Sequence, residues 1–143
     1  MILLNSNVLI AALIETHPHH DASNAVAEAA TLQSTLIAAQ NLAETYSTIT
    51  RLNLPYRVSG AVAAGIIERR AERMTITALT APQTINALRR LGALDSGPRL
   101  YDFLIGVTGE TYGADTIMTW NIRDFGGLFP SLRVMTPADF ATA

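Results

Sequence analysis

The stretch LYDFLIGVTGETYGADTIMTWNIRDF, residues 100–125, decides the fold of this chain. Leu100, Leu104, Val107 and Thr111 recur at helical spacing, with Pro98 in the first turn and Gly113 just past the end, so the stretch opens with a capped helix. After Gly113, residues Thr116 to Trp120 predict a short buried strand, and Asn121 and Asp124 follow at its carboxyl end. Asp102 sits in the opening turns of the helix, about 200° from Leu100 and beside Gly106 and Gly109. Phe103, Leu104 and Ile105 leave little surface for water, so the helix is expected to be buried almost all round. A carboxylate held there costs roughly several kcal/mol unless an arginine, a hydrogen-bond network or a metal ion compensates it.

Working outward, the other segments alternate in the same way. Ile2 to Leu4 reads as a first strand, Asn5, Ser6 and Asn7 as a polar turn, and Val8 to Ile14 as a helix. Asn5 and Asn121 then share the carboxyl edge of the sheet, where open α/β folds bind ligands, although both residue types are also ordinary turn formers. His17, His19 and His20 precede an alanine-rich helix from Asp21 to Ala30; without a further ligand at zinc spacing they read as an exposed helix start with Asp21 near the cap. Ser34 to Ala38 is a second strand, followed by a helix from about Asn41 to Asn53, stopped by Pro55, with an apolar stripe of Leu42, Tyr46 and Ile49. On that wheel Glu44 falls with Thr48 and Arg51 on a solvated face.

Ser59 caps a helix to about Arg70, whose end carries Arg69, Arg70 and Arg73, as the helix dipole favours. Met74 to Ala78 is a third strand, Thr80 and Gln83 form a capping box for a helix ending near Gly92, and Asp95 to Arg99 is a polar link. Beyond Asp124, Gly126 and Gly127 loosen the loop, Arg133 to Met135 is a last strand, and Thr136, Pro137 and Asp139 start a terminal helix. The alternation implies a single α/β/α sandwich domain over residues 1–143 with a central, mostly parallel sheet.

Composition bounds the chemistry. The chain has 143 residues, 49% of them hydrophobic and 15% charged, which suits one packed domain rather than disorder. A net charge of −2 provides no global basic field, so a nucleic acid would be held locally by arginines or a metal. There is no cysteine, hence no disulfide, thiolate nucleophile or cysteine zinc site. Every basic residue is arginine, which excludes Schiff-base chemistry and a Walker-type phosphate loop. The apolar runs are too short to span a bilayer and no basic segment precedes the first, so a soluble, cytosolic, unprocessed chain is expected.

Three segments together, LLNSNVLIAAL, NLAETYSTITRL and YDFLIGVTGETYGADTIMTWNIRDF, resemble the PIN-domain ribonucleases, especially the VapC-like toxins of bacterial toxin–antitoxin pairs. The resemblance spans nearly the whole chain. It implies a metal-dependent endoribonuclease using Mg²⁺ or Mn²⁺, an RNA substrate, a cognate antitoxin and a homodimer. It also implies a site made of Asn5, Glu44, Asp102 and Asn121, with Asp124 as a nearby acid and Ser6 and Thr119 as hydrogen-bonding supports. Asn5 and Asp102 are the implied metal ligands. Such ions prefer oxygen donors and offset both the crowded acids and the anionic phosphodiester.

One position departs from the family pattern: Asn5 stands where the family has aspartate. Its carbonyl coordinates weakly and supplies no charge, so metal affinity and hydrolysis are expected to fall. Retention of Glu44, Asp102 and the surrounding NSNVLIAAL favours a deliberately replaced acid over a site lost by drift. Two other readings compete. One is a PIN-fold module that binds RNA or a partner without catalysis. The other, a haloacid-dehalogenase-like phosphatase built on Asn5 and Asn7, is rejected because that chemistry looks for a lysine or its arginine substitute and usually a longer chain.

Overall fold

The central strand is β1 (Ile2–Leu4), a run short enough that its neighbours must bury it on both edges and both faces. In the computed structural model, which describes residues 1–53, 55–94 and 99–140, it lies between β2 (Thr35–Ala38) and β4 (Thr116–Met118). With β3 (Thr75–Thr77) and β5 (Arg133–Met135) outermost, the described strands form a parallel five-stranded sheet in the order β3-β2-β1-β4-β5. The α/β sandwich expected from the alternation is therefore present, with a sheet that is wholly parallel. Asp95 to Pro98, including the proline expected in a helix turn and most of the polar link, lie outside the described residues.

Parallel strands need crossovers, and the crossover helices cover both faces. These are α1 (Ser6–Leu13), α2 (His20–Glu28), α3 (Ala39–Ile49), α4 (Gly60–Ala71), α5 (Ala81–Gly92) and α6 (Leu100–Thr111), with α7 (Pro137–Phe140) after the last strand. Alternation along the strands splits the core. Leu3, Leu36 and Ile117 face Phe103, Ile105, Phe125 and Phe129 on one side. Leu4, Ile37 and Met118 face Val8, Leu9 and Val26 on the other.

Local signals account for most boundaries. Ser59 accepts from the Val62 amide, Thr80 and Gln83 make the reciprocal capping box, and Gly113 adopts φ +77° where α6 ends. Two expectations fail. The start of α6 is open rather than buried all round, with Leu100 37% and Tyr101 63% exposed; burial begins at Phe103, because only from there does the helix lie on the sheet.

The second concerns α3, which ends at Ile49 rather than near Asn53 and buries only part of the expected stripe, Ile49 fully and Leu42 in part. Tyr46 is exposed, while Asn41 and Thr45 fill the inward face beside Ile49. The reason is polar: this helix passes the end of β1, where Asn41 Nδ2 donates to the Leu4 carbonyl at 2.8 Å and Thr45 Oγ1 to the Asn41 carbonyl at 2.7 Å.

The registers set Leu4 opposite Ile37 and Met118, so the three central strands finish level. Successive strands leave β1 toward β2 and β3 on one side and toward β4 and β5 on the other. The crevice between the ends of β1 and β4 is thus the topological switch point, flanked by Asn5 and Thr119.

Candidate active site

Asn5 leaves β1 and caps α1, its Oδ1 accepting from the Ser6 amide at 2.7 Å. The cap starts the helix at Ser6, two residues earlier than apolar periodicity suggests. It also fixes the amide orientation, since the opposite one would set Nδ2 against the Ser6 N–H. Nδ2 then donates to Thr119 Oγ1 at 3.1 Å, and the residue is only 5% exposed.

Ser6 carries the site to the second helix layer. Its hydroxyl donates to Glu44 Oε2 at 2.7 Å, while Gln40 Nε2 donates to Glu44 Oε1 at 2.8 Å. Both carboxylate oxygens are engaged, so the freely solvated face that helical periodicity assigned to Glu44 is not what forms. Asp102, in the first turn of α6, is half-buried. Burial, then repulsion from Asp124 and Glu44, holds its carboxyl above the usual carboxylate range, and Arg99 pulls the other way. Acids from three separate elements therefore act on one another at the switch point.

On the far side, buried Thr119 follows β4. Its Oγ1 lies 3.1 Å from Asn5 Nδ2, 3.0 Å from Asn7 Nδ2 and 3.1 Å from the Asn121 amide. A hydroxyl oxygen has two lone pairs and here meets three N–H donors. A carboxylate at residue 5 removes the conflict: Thr119 donates to it and accepts from the other two, while the Ser6 amide bond is kept. The surroundings of Asn5 thus suit an acid better than an amide.

Asn121 precedes a single 3-10 turn, Ile122–Asp124, that carries half-buried Asp124 toward Asp102. Asn121 itself is exposed and makes no side-chain cap bond. Arg99, Trp120, Asn121, Ile122, Arg123 and Asp124 surround a cavity of about 470 Å³ beside these acids.

A PIN-domain family profile matches residues 2–125. The chain belongs to the PIN-domain family. No curated protein matches this PIN domain in sequence. Solved structures share its fold. The Mycobacterium tuberculosis toxin VapC20, described as cleaving the sarcin–ricin loop, aligns with TM-score 0.69 and 15% identity over 93% of this chain and 99% of its own. FitAcB from Neisseria gonorrhoeae aligns with TM-score 0.64 and 18% identity over 96% and 99%. VapBC2 from Rickettsia felis, bound to a promoter DNA fragment, aligns with TM-score 0.60 and 21% identity over 95% and 98%. The structural likeness is to VapC toxins of toxin–antitoxin systems.

In this PIN domain the donor set is all oxygen, which fits a hard divalent cation in kind. It falls short in number: among the described residues no three acids or histidines stand close enough to share one ion. Asn5, next to Ser6 and Thr119, adds an oxygen there but no charge. Of the three histidines, His19 stacks on Trp120 with ring centres 3.8 Å apart and planes 12° off parallel, and His20 Nδ1 lies 3.0 Å from the Ala11 carbonyl.

Sequence reasoning missed the roles of four residues. Asn7 accepts from the Trp120 amide at 3.2 Å and so ties α1 to the turn after β4. Gln40 steadies Glu44, and Arg99 opposes the charge of its neighbours on Asp102. The spacing of Gln40 before Glu44 and of Arg99 before Asp102 is the helical i, i+4 and i, i+3 signal that could have found them. Trp120 was read only as the end of the strand, which stops at Met118. The remaining arginine group, expected at a helix end, is also a clamp: Arg70 pairs with Glu28 and donates to Asn24 Oδ1 at 2.9 Å, joining α4 to α2.

Proposed function

We propose that this PIN domain is a metal-dependent endoribonuclease of the VapC toxin type, weakened by Asn5 and neutralised by a cognate antitoxin. The observation that carries the reading is the approach of Asp124 and Glu44 to half-buried Asp102 at the switch point, where burial first and their repulsion second raise its carboxyl above the usual carboxylate range. Repelling acids held together by the fold are costly unless a cation shares them. Asp102, with the Asn5 carbonyl, would hold Mg²⁺ or Mn²⁺. When bound, such an ion supplies the positive charge that an anionic phosphodiester requires and lowers the pKa of water.

The chain's own groups do the positioning. Ser6 and Gln40 fix both oxygens of Glu44, Thr119 and Asn7 hold the turn that bears Asn121 and Asp124, and Arg99 sits where a phosphate oxygen can meet it. RNA is the proposed substrate. An antitoxin partner is consistent with the shared fold of a toxin–antitoxin complex from Klebsiella pneumoniae. A homodimer in the cytoplasm completes the reading; no helix among the described residues is long and apolar enough to cross a membrane.

The test is cleavage of a mixed RNA pool by Asn5→Asp with and without Mg²⁺ or Mn²⁺. Activity should rise well above that of the parent, require the ion, and vanish when Asp102→Asn is added. Asn5 itself favours the second reading, a non-catalytic module. That reading is established by RNA or antitoxin binding indifferent to metal and to changes at Glu44 and Asp102, together with no gain from Asn5→Asp.

A further inference from the structure

We infer that the open outer edge of β3 docks an extended segment of a partner protein, one that carries an aliphatic side chain flanked by arginine or lysine. The surface is a groove of about 450 Å³ between α3, α4 and β3, walled by Leu42, Tyr46, Ile67 and Ile76 and rimmed by Glu68 and Glu72. It lies away from the acids of the switch point. α4 turns directly into the start of β3, the Met74 amide donating to the Ala71 carbonyl at 3.0 Å, so Glu68 and Glu72 sit toward the amino edge of the sheet, opposite the edge that carries Asn5. The inference therefore goes beyond the ribonuclease reading and does not rest on it.

The groove is apolar and already formed. Ile76 is 52% and Tyr46 42% exposed. A Cβ at Gly60 would lie 2.6 Å from Tyr46 Oη, so the missing side chain is what lets the ring rest on the start of α4. β3 is an outermost strand and pairs, among the described residues, with β2 alone. Folds commonly guard such an edge with charge. β5, at the other edge, begins with exposed Arg133, but Thr75, Ile76 and Thr77 carry no charge. A strand added beside β3 would gain main-chain hydrogen bonds and set alternate side chains over the groove.

Charge decides what that strand is. Glu68 and Glu72 are exposed, four residues apart on one face of α4, and neither carboxylate is hydrogen-bonded or ion-paired among the described residues. Like charges at this spacing, at the end of a helix where the dipole disfavours anions, do nothing for α4 itself. The nearby arginines turn the other way: Arg70 and Arg73 pair with Glu28 of α2. Cationic side chains two residues from an aliphatic anchor would answer both carboxylates. The rim also disfavours the other occupants. RNA is anionic, and pairing β3 with β3 of a second copy about a two-fold axis would bring two acidic rims together.

The probe is a labelled nine-residue peptide of threonines with a central leucine and an arginine two residues to each side of it. By fluorescence anisotropy at low salt it should bind the protein as written saturably, with Kd below about 1 mM. The same peptide with glutamates for the arginines should bind at least about tenfold more weakly. Ile76→Lys, at an exposed position, should abolish binding, and Glu68→Gln with Glu72→Gln should lower the affinity several-fold and flatten its salt dependence. No binding, equal binding of the glutamate peptide, or binding unchanged by Ile76→Lys overturns the inference. A dimer in analytical ultracentrifugation that Ile76→Lys renders monomeric assigns the edge to a second copy and overturns it too. Cleavage of RNA by Asn5→Asp, or its failure, leaves all of these results unchanged, so the two readings fail separately.

Discussion

Gly106→Ala probes how the fold sets the distance between Asp102 and Asp124. A Cβ at Gly106 would lie 2.1 Å from Cε2 and Cζ of Phe129 and 2.6 Å from Cδ2, against 3.4 Å or more for ordinary contact. The ring must therefore retreat by about 1.3 Å, and it has little room. Phe129 is 3% exposed, packs on Phe103 with ring centres 5.4 Å apart, and lies under the Arg90 guanidinium.

Two effects of opposite sign compete in this substitution. Alanine in a helix interior gains about 1 kcal/mol over glycine, while forcing a methyl group into a packed core costs roughly 1–3 kcal/mol. With three ring atoms in conflict the upper end applies, so the net loss should be about 1–2 kcal/mol, or some 3–8 °C in Tm. Thermal unfolding followed by circular dichroism measures it, and combining the change with Phe129→Leu should recover part of the loss. Because Phe129 belongs to the segment after Asp124, any RNA cleavage by Asn5→Asp should fall in the same variant. A Gly106→Ala protein more stable than its parent, as helix propensity alone requires, refutes the packing argument.

Other perturbations read the site separately. Asp102→Asn removes a carboxylate whose folded-state pKa is raised, so over the window that opens at the ordinary carboxylate value and extends upward the folded state binds more protons and stability falls as pH rises. The metal-free variant should therefore melt higher at neutral pH, by about 1 kcal/mol or less for a half-exposed group, with the difference closing toward acid pH; a lower Tm contradicts the crowding of acids. Thr119→Val leaves the Asn121 amide and two side-chain amides without their shared acceptor and should cost about 2–3 kcal/mol in a urea titration, whereas Thr119→Ser should stay close to the parent; equal losses for both would point to packing alone.

Much of the fold was legible because its signals are local: the Thr80–Gln83 box, the Ser59 cap, Gly113 and the apolar strands each carry their own instruction. The site was legible only in part. Asp102 announced itself as an acid among apolar neighbours, but Glu44 looked solvated on a helical wheel because a wheel has no knowledge of Ser6, which lies 38 residues earlier and turns the carboxylate inward. The same limit hid Asn41 and Thr45, whose inward faces answer a carbonyl at the end of β1. The hydrogen-bonding roles of Asn7 and Trp120 went unread for a related reason, since their partners lie 113 and 97 residues away respectively.

The central claim is that residue 5 completes a shared cation site with Asp102. Titrating Mn²⁺ into Asn5→Asp while following the free ion by electron paramagnetic resonance tests it without depending on any RNA. One ion per chain should bind at least about tenfold more tightly than to the parent, and Asp102→Asn in the same background should return the affinity to the parent's level. Equal Mn²⁺ binding by the parent and by Asn5→Asp, or binding untouched by Asp102→Asn, contradicts the account.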